Sequence, residues 1–350
     1  MRAMILAAGL GTRLRPLTYE MPKPMVPVLN RPVMEHIARL LAAHGFREVI
    51  ANLHWFPDRV RDHFGDGSAF GLDLAYIEEP ALLGTSGGVR NVAGFLGDSF
   101  LVISGDALTD IDLTAMREFH SSHDGVATLA TKRVDDTSQF GVVITGSDGR
   151  VQGFQEKPDP AEALSDRANC GIYMFRSDIF EFFPAPGTSK AAGAGDPPGF
   201  ADWAMDVFPA LLEADIPFYS YEFDAYWNDI GNLEELRGGN FDALRGEVAV
   251  EVDVPEVAAG VRSASDLGGA EVEPPLLIGA GVELGDGVRI DGPAIVGDRC
   301  RIGAGARIRD AVLIGDAELA PGTILASGIA ARSLAAEGAT GRHSVADTKT

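Results

Sequence analysis

The chain has few cysteines and no long apolar run. Its two cysteines, Cys170 and Cys300, stand alone among 350 residues, and no C-x-x-C pair occurs. This excludes a disulfide framework and a zinc knuckle, and we expect both thiols to be buried. No apolar run approaches the ~20 residues of a membrane span, and the apolar stretch near Met1 is too short for a secretory signal. We therefore expect a cytoplasmic protein without membrane contact.

Positive charge is also scarce. Lysine and arginine number 29 against 51 acidic residues, which gives a net charge of −22. Such a chain repels nucleic acids and anionic membranes unless its cations are concentrated locally. Residues 4–28 contain such a concentration, with Arg13, Arg15 and Lys23 close together. The composition argues against a nucleic-acid partner and draws attention to this stretch.

The stretch begins as a buried strand and then becomes rich in glycine. Residues 4–8 are apolar, which predicts a parallel strand, and Gly9 and Gly11 follow. Glycines allow a sharp turn whose exposed N–H groups suit phosphate. The dinucleotide fingerprint fails because Leu14 replaces its third glycine, and no P-loop Gly-Lys-Ser/Thr is present. A structural turn with solvated arginines is the alternative at this point.

The complete motif is more specific. L-A-A-G-L-G-T-R-L-R-P-L-T followed by P-K-P-M-V-P-V resembles the signature of the sugar-nucleotide pyrophosphorylases. These nucleotidyltransferases join a nucleoside triphosphate to a sugar 1-phosphate. The resemblance implies that Arg13 and Lys23 are catalytic. It also implies a nucleotide-binding role for the opening residues Leu6, Ala8, Gly9, Gly11 and Thr12.

The next residues alternate between apolar strands and amphipathic helices. Helices are predicted at 34–43 and Pro57–Phe64, and strands at 49–53 and 73–77. This order predicts an α/β fold, a Rossmann-like nucleotidyltransferase domain with a mixed, mainly parallel sheet.

A second glycine-rich segment runs from Gly84 to Gly88. Alone it would more often be a flexible helix entry, but beside the first motif it resembles the family's base-recognition loop. Its Gly-Thr-Ser-Gly-Gly form is similar to that of mannose-1-phosphate guanylyltransferases and lacks the pyrimidine-reading Gln of thymidylyltransferases. Asn52-Leu53-His54 also resembles that branch. Gly84, Thr85 and Gly87 are therefore predicted to bind the nucleotide.

Two carboxylates follow the pattern of the family's Mg²⁺ ligands. Asp106 ends a buried strand, where ligands of parallel sheets bind, although it could instead cap a turn. Asp229 lies in Trp227-Asn228-Asp229-Ile230-Gly231, similar to the family's Trp-x-Asp-Ile-Gly. Magnesium prefers one or two carboxylates together with phosphate oxygens. Asp112 is predicted to be the N-cap of the following helix.

Sugar-phosphate binding is implied by two further motifs. Glu156-Lys157-Pro158 and Asn169-Cys170-Gly171-Ile172-Tyr173 resemble the family's sugar-phosphate motifs, and Gly141 is included on the same ground. A surface turn and a buried structural asparagine are the alternatives for Lys157 and Asn169. The loop at 184–200 carries no recognisable chemistry.

A different period begins near residue 272. Apolar residues recur at every sixth position from Val272 to Ile314, which is the hexapeptide repeat of a left-handed parallel β-helix. Acyltransferases with this repeat use a histidine from it, and none lies between His123 and His343, so we do not expect that activity. We predict a catalytic domain at 1–245, a linker at 246–271, a β-helix at 272–328 that forms homo-oligomers, and a polar tail at 329–350.

Together these features predict an enzyme that makes an NDP-sugar and pyrophosphate from a nucleoside triphosphate and a sugar 1-phosphate. The substrates suggested by resemblance are GTP and mannose 1-phosphate. Glucose-1-phosphate uridylyl-, adenylyl- or thymidylyltransfer is the enzymatic alternative. A regulatory paralogue that binds NDP-sugar without turnover is the other, although the predicted metal ligands and Lys23 are all present.

Overall fold

A computed structural model describes residues 1–332. The chain forms two compact units. The first contains Met1–Leu10 and Ile37–Trp227, and the second contains Gly11–His36 and the chain from Asn228 on. Residues 333–350, most of the predicted tail, lie outside the described part, as does His343. Among the described helices, none is long and apolar enough to cross a membrane.

The first unit is built on one mixed sheet of nine strands. The strands are β1 Arg2–Leu6, β2 Glu48–Leu53, β3 Asp73–Glu78, β4 Ser99–Ser104, β5 Ala127–Arg133, β6 Gly141–Thr145, β7 Val151–Glu156, β8 Arg167–Arg176 and β9 Tyr219–Glu222. Their order in the sheet is β7-β6-β8-β4-β1-β2-β3, with β5 paired to β8 and β9 paired to β5. The four neighbours β4, β1, β2 and β3 are parallel, and β8 turns antiparallel on β4. The predicted mixed, mainly parallel sheet is confirmed.

Helices connect and cover these strands. They are α1 Val33–Ala43, α2 Pro57–Phe64, α3 Gly84–Asn91, α4 Ala93–Leu96, α5 Leu113–Ser121 and α6 Phe208–Glu213, with a π-helical turn at Trp203–Val207. The predicted bounds of α2 agree with the structure. Asp112 caps α5 as predicted, since its carboxylate accepts the N–H groups of Thr114 and Ala115 at 2.9 Å each.

The second unit contains a left-handed parallel β-helix. Its longer strands are β10 Glu256–Ala258, β11 Val261–Ser263, β12 Glu271–Glu273, β13 Leu276–Ile278, β14 Arg289–Val296, β15 Arg307–Leu313 and β16 Ile324–Ala330. Ile278 pairs with Val296, and Ile290 pairs with Ile308, so each coil contains three hexapeptides. The repeated apolar positions face the core, where Cys300 is fully buried as predicted.

Helix α7, Leu233–Arg245, belongs with the β-helix rather than with the nine-stranded sheet. Its Arg237 guanidinium donates to the Asp310 carboxylate at 2.7 Å. Asn240 accepts the Leu29 N–H at 2.9 Å and donates to the Pro27 carbonyl at 3.1 Å. Strands β10 and β11 lie inside the segment 246–271, which the sequence suggested as a linker. They pair with each other, and β11 also pairs with β13, so they extend the β-helix. The functional domain bounds remain a prediction.

A buried histidine makes stability depend on pH. His120 is 3% exposed, and its Nδ1 lies 2.8 Å from the Thr128 hydroxyl. Burial, followed by the charges of His123 and Arg176, lowers its pKa from 6.5 to about 4. The native state therefore binds fewer protons than the unfolded chain below pH 6.5. The contribution of His120 to the free energy of unfolding is fully present above pH 6.5. It is lost as the pH falls toward 4, by up to about 1.4 kcal/mol per pH unit.

Urea unfolding of wild type at pH 7.0 and 5.5 measures this loss. The variant His120→Gln should flatten the dependence between these pH values, whereas His63→Gln, at an exposed position, should retain it. Equal slopes for His120→Gln and wild type would show that His120 is not the responsible group.

Candidate active site

Strands β1 and β4 end side by side at the edge of the sheet. The Gly105 N–H donates to the Leu6 carbonyl at 2.8 Å, and Asp106 follows directly. Ligands of parallel α/β sheets bind at the carboxyl ends of their strands. The structure thus places Leu6 and Ala8 at or just after the end of β1, and Asp106 just after the end of β4, while their contact with a ligand stays a prediction.

A buried polar network joins this edge to the second glycine-rich segment. The Ala7 N–H donates to Asn52 Oδ1 at 2.8 Å, and Asn52 Nδ2 donates to Glu79 Oε1 at 2.7 Å. The other Glu79 oxygen accepts the Leu83 N–H at 3.0 Å. Asn52 and Glu79 are each 2% exposed. Sequence reasoning missed Glu79, because its side-chain partner Asn52 lies 27 residues away and only its position directly after β3 marked it.

The second glycine-rich segment forms the first turn of α3. The Ala201 carbonyl accepts the N–H groups of Ser86 and Gly87 at 3.1 Å each. A Cβ atom on Gly87 would lie 2.5 Å from the Gly199 carbonyl oxygen, and one on Gly84, whose φ is +73°, would collide with the Ala201 carbonyl oxygen. Close approach to the chain's own backbone thus accounts for both glycines. Contact of Gly84, Thr85 and Gly87 with a nucleotide stays a prediction.

Three of the predicted sugar-phosphate residues share one hairpin. Gly141 in β6 pairs with Glu156 in β7, and a Cβ atom on Gly141 would lie 3.0 Å from Glu156 Oε2. Lys157 follows, with its Nζ 3.8 Å from Glu156 Oε1. Both charged side chains are about half exposed, so they can reach a ligand at this end of the hairpin.

Asn169 presents an unsatisfied acceptor. Its Nδ2 donates to the Tyr173 hydroxyl at 2.9 Å. Its Oδ1 is buried and has no hydrogen-bond partner within residues 1–332. Burial raises the pKa of Tyr173, so the phenol stays neutral. Buried polar atoms are normally satisfied, and a ligand hydroxyl would complete the bonding of Asn169.

The opening loop is the part of the first motif from Gly11 to Met25, and it lies in the second unit. It contains three short 3₁₀ turns, Thr12–Leu14, Leu17–Tyr19 and Lys23–Met25. The Thr18 hydroxyl donates to the Gly11 carbonyl at 2.8 Å. A Cβ atom on Gly11 would lie 2.9 Å from Lys23 Cβ, so the two residues pack closely. The structure thus brings together Gly11, Thr12 and Lys23, three residues predicted to bind the triphosphate.

Arg13 and Asp229 meet at Gly231 in the same unit. A Cβ atom on Gly231 would lie 3.1 Å from Asp229 Oδ1 and 3.2 Å from both terminal nitrogens of Arg13. Asp106 belongs to the first unit, so its pairing with Asp229 on one metal ion stays a prediction. Within the described chain, no group of three or more acidic, histidine or cysteine residues is placed to hold a metal. Magnesium needs fewer, since phosphate oxygens supply its other ligands.

The variant Gly231→Ala should impair activity with little loss of stability. Its methyl group would displace the flexible ends of Arg13 and Asp229 by a few tenths of an ångström. Because misplaced charges lower turnover, we expect turnover of the variant to fall about tenfold. Gly238→Ala in α7 is the matched control, because nothing lies within 4 Å of its new Cβ atom. Steady-state turnover and urea unfolding of both variants test this, and unchanged turnover of Gly231→Ala would contradict it.

Comparison with known proteins gives matches over both parts of the chain. The nucleotidyl transferase family model matches residues 2–245, and the bacterial transferase hexapeptide model matches residues 276–310. The UTP–glucose-1-phosphate uridylyltransferase of Synechocystis is 35% identical over 312 residues, covering 83% of this chain and 76% of the relative. The mannose-1-phosphate guanylyltransferase of Mycobacterium tuberculosis is 36% identical over 297 residues, covering 82% and 77%.

Solved structures give the same fold. A Bacillus anthracis protein assigned as a glucose-1-phosphate thymidylyltransferase superposes with a TM-score of 0.62 at 24% identity, covering 72% of this chain and 97% of that one. HddC from Yersinia pseudotuberculosis superposes with a TM-score of 0.57, also at 24% identity, covering 68% and 97%. At this identity the likeness concerns the fold alone.

Proposed function

The chain belongs to the sugar-1-phosphate nucleotidyltransferase family, and within it we propose that this protein joins GTP to mannose 1-phosphate. The Synechocystis relative named for UTP and glucose 1-phosphate and the Mycobacterium relative named for mannose 1-phosphate are 35% and 36% identical to this chain, so overall identity does not select the base. The observation that supports GTP is the sequence of the Gly84–Gly88 segment. Its Gly-Thr-Ser-Gly-Gly form resembles the guanylyl branch and has no pyrimidine-reading Gln.

The reaction is an in-line displacement. A phosphate oxygen of the sugar 1-phosphate forms a bond to the α-phosphorus of the triphosphate, and the bond from that phosphorus to the bridging oxygen breaks. Pyrophosphate leaves with the electron pair, and the NDP-sugar remains. The attacking oxygen is already anionic at neutral pH, so the chain needs no general base. Positioning and charge neutralisation provide the rate enhancement.

The opening loop provides the cations for this step. The backbone from Gly9 to Thr12, with the Arg13 guanidinium, would hold the β- and γ-phosphates that leave. Lys23 would contact the α-phosphate, where charge builds as the displacement proceeds. The close packing of Gly11 on Cβ and Cγ of Lys23 supports this, because it holds the stem of the lysine against the glycine-rich turn.

The sugar phosphate would be held by the hairpin and by strand β8. Lys157 would pair with its phosphate, and Glu156 would accept hydrogen bonds from sugar hydroxyls beside Gly141. The unsatisfied Oδ1 of Asn169 would accept another hydroxyl proton. Hydroxyl groups both donate and accept, so this set of donors and acceptors suits a hexose phosphate.

Asp106 and Asp229 would hold Mg²⁺, which when bound neutralises charge on the phosphates. Chelation by EDTA should therefore abolish turnover, and added Mg²⁺ should restore it. Full turnover in excess EDTA would contradict the assignment of these carboxylates. A regulatory paralogue would show ligand binding, which calorimetry detects, with no turnover at any metal concentration.

The β-helix would join copies of the chain, since its stacked coils expose regular surfaces. Light scattering of wild type should give the mass of two or more chains, and the mass of a single chain would contradict this proposal.

Internal competition tests the base. With five nucleoside triphosphates at equal concentration and mannose 1-phosphate, mass spectrometry of the products gives the ratios of kcat/KM directly. GDP-mannose should dominate. Dominance of a uridylyl product would overturn the choice of GTP and favour the base named for the Synechocystis relative.

A further inference from the structure

Residues 199–203 lie directly against the first turn of α3. The Ala201 N–H donates to the Leu83 carbonyl at 2.9 Å, while the Ala201 carbonyl accepts the N–H groups of Ser86 and Gly87. The first amides of a helix are often available to a ligand, but here the chain itself occupies two of them. The position of the glycine-rich segment is therefore set by residues 199–203, in a part of the sequence that carries no recognisable motif.

One side-chain contact fixes this arrangement. The Thr85 hydroxyl donates to Asp202 Oδ2 at 2.8 Å and accepts the Trp203 N–H at 3.1 Å. The other carboxylate oxygen of Asp202 accepts the N–H groups of Ala204 and Met205 at 2.9 and 3.0 Å. Asp202 thus caps the π-helical turn with one oxygen and holds the glycine-rich segment with the other. Turns of this kind are frequent at functional sites.

Further hydrogen bonds anchor the chain before and after Asp202. Asp206 is 7% exposed, and its carboxylate accepts the Ser189 hydroxyl, the Lys190 N–H and the Asp202 N–H at 2.7–2.9 Å. The Arg90 guanidinium of α3 donates to the carbonyls of Pro184 and Gly199 at 2.7 and 2.9 Å. Movement of Asp202 would therefore move the start of α3 with it.

The same segment reaches the sugar-phosphate residues. The ring of Trp203 lies 5.8 Å from that of Tyr173, and the Tyr173 hydroxyl accepts the hydrogen bond from Asn169. The charge of Asp202 acts on Tyr173 as well. Residues 199–203 are thus in contact with both the glycine-rich segment and the strand that carries Asn169.

We propose that Asp202 is a positioning residue of the nucleotide subsite and that it acts through the Thr85 hydroxyl. This deepens the proposed function, since it rests on Gly84–Gly88 lying beside the nucleotide. A hydrogen bond to a carboxylate is stronger than one between neutral groups, so its loss releases the segment that the nucleotide must meet. The loss raises KM for the nucleoside triphosphate more than it changes kcat or KM for the sugar phosphate.

Steady-state kinetics on three single variants and one double variant test the proposal, with whichever triphosphate wild type uses. Thr85→Val removes the hydroxyl and should raise KM for the triphosphate about tenfold. Thr85→Ser keeps the hydroxyl and should recover most of the affinity for the triphosphate that Thr85→Val loses. Asp202→Asn retains the cap, because asparagine is a good N-cap residue, and should raise the same KM severalfold. The double variant should show no further rise beyond the larger single effect, since both changes break one contact.

Thr188→Val is the matched control, because it removes a hydroxyl–carbonyl bond to Ala185 in the same loop without touching α3. Its KM values should equal those of wild type. The proposal is overturned if Thr85→Val and Thr85→Ser share one KM, if the two single effects simply add, or if the variants lose thermal stability with unchanged KM. An inactive wild type would instead refute the proposed function, so the two failures are distinguishable.

Discussion

Lys23→Met is expected to lower turnover about 10²–10³-fold while leaving the free energy of unfolding close to that of wild type. Methionine keeps the unbranched stem, so the packing of Gly11 against Cβ and Cγ survives. Only the ammonium group is lost, and with it the charge that would stabilise the α-phosphate as the displacement proceeds. Turnover by pyrophosphate release and stability by urea unfolding separate these two effects.

Lys190→Met provides the control, because it removes an exposed ammonium group of a loop that carries no predicted phosphate contact. Its turnover should equal that of wild type. Turnover of Lys23→Met within threefold of wild type would refute the catalytic role given to this lysine.

Glu79→Ala is expected to destabilise the protein by about 3 kcal/mol. The change leaves the Asn52 amide and the Leu83 N–H without their carboxylate partner in a buried site. It also releases the glycine-rich segment from the end of β1, so turnover should fall as well. Urea unfolding gives the first effect, and initial rates at saturating substrate give the second.

The neighbouring residue offers a matched control. Glu78 is exposed and pairs with Arg61 at 2.9 Å, and a surface ion pair of this kind contributes at most about 1 kcal/mol. Glu78→Ala should therefore be nearly neutral in both assays. Equal unfolding free energies for the two alanine variants would mean that the buried network contributes nothing to stability.

Local patterns predicted much of this fold because local physics determines it. Asp112 caps α5 through amides two and three residues away, and the six-residue period alone indicates which β-helix positions face the core. The pairing of Gly141 with Glu156 also lies within one hairpin. Each of these features needs only a few neighbouring residues.

The remainder depends on contacts between distant residues. Glu79 and Asp202 are ordinary surface-type residues in the sequence, and only the fold gives them Asn52 and Thr85 as partners. The sequence predicts that Gly84 and Gly87 bind the nucleotide, and only the fold shows that their absent side chains also make room for Ala201 and Gly199. The packing of α7 likewise follows from Arg237, which pairs with Asp310 of the β-helix, and from Asn240, which bonds Leu29, and no local pattern could indicate these partners.

The most direct test is pyrophosphate release with Mg²⁺ from five nucleoside triphosphates, each combined with mannose, glucose, galactose or N-acetylglucosamine 1-phosphate. We expect one dominant signal, from GTP with mannose 1-phosphate, with one NDP-sugar formed for each pyrophosphate. A dominant signal from another pair would retain the reaction and contradict the assignment of base and sugar. Silence from folded wild type across all pairs would contradict the account itself.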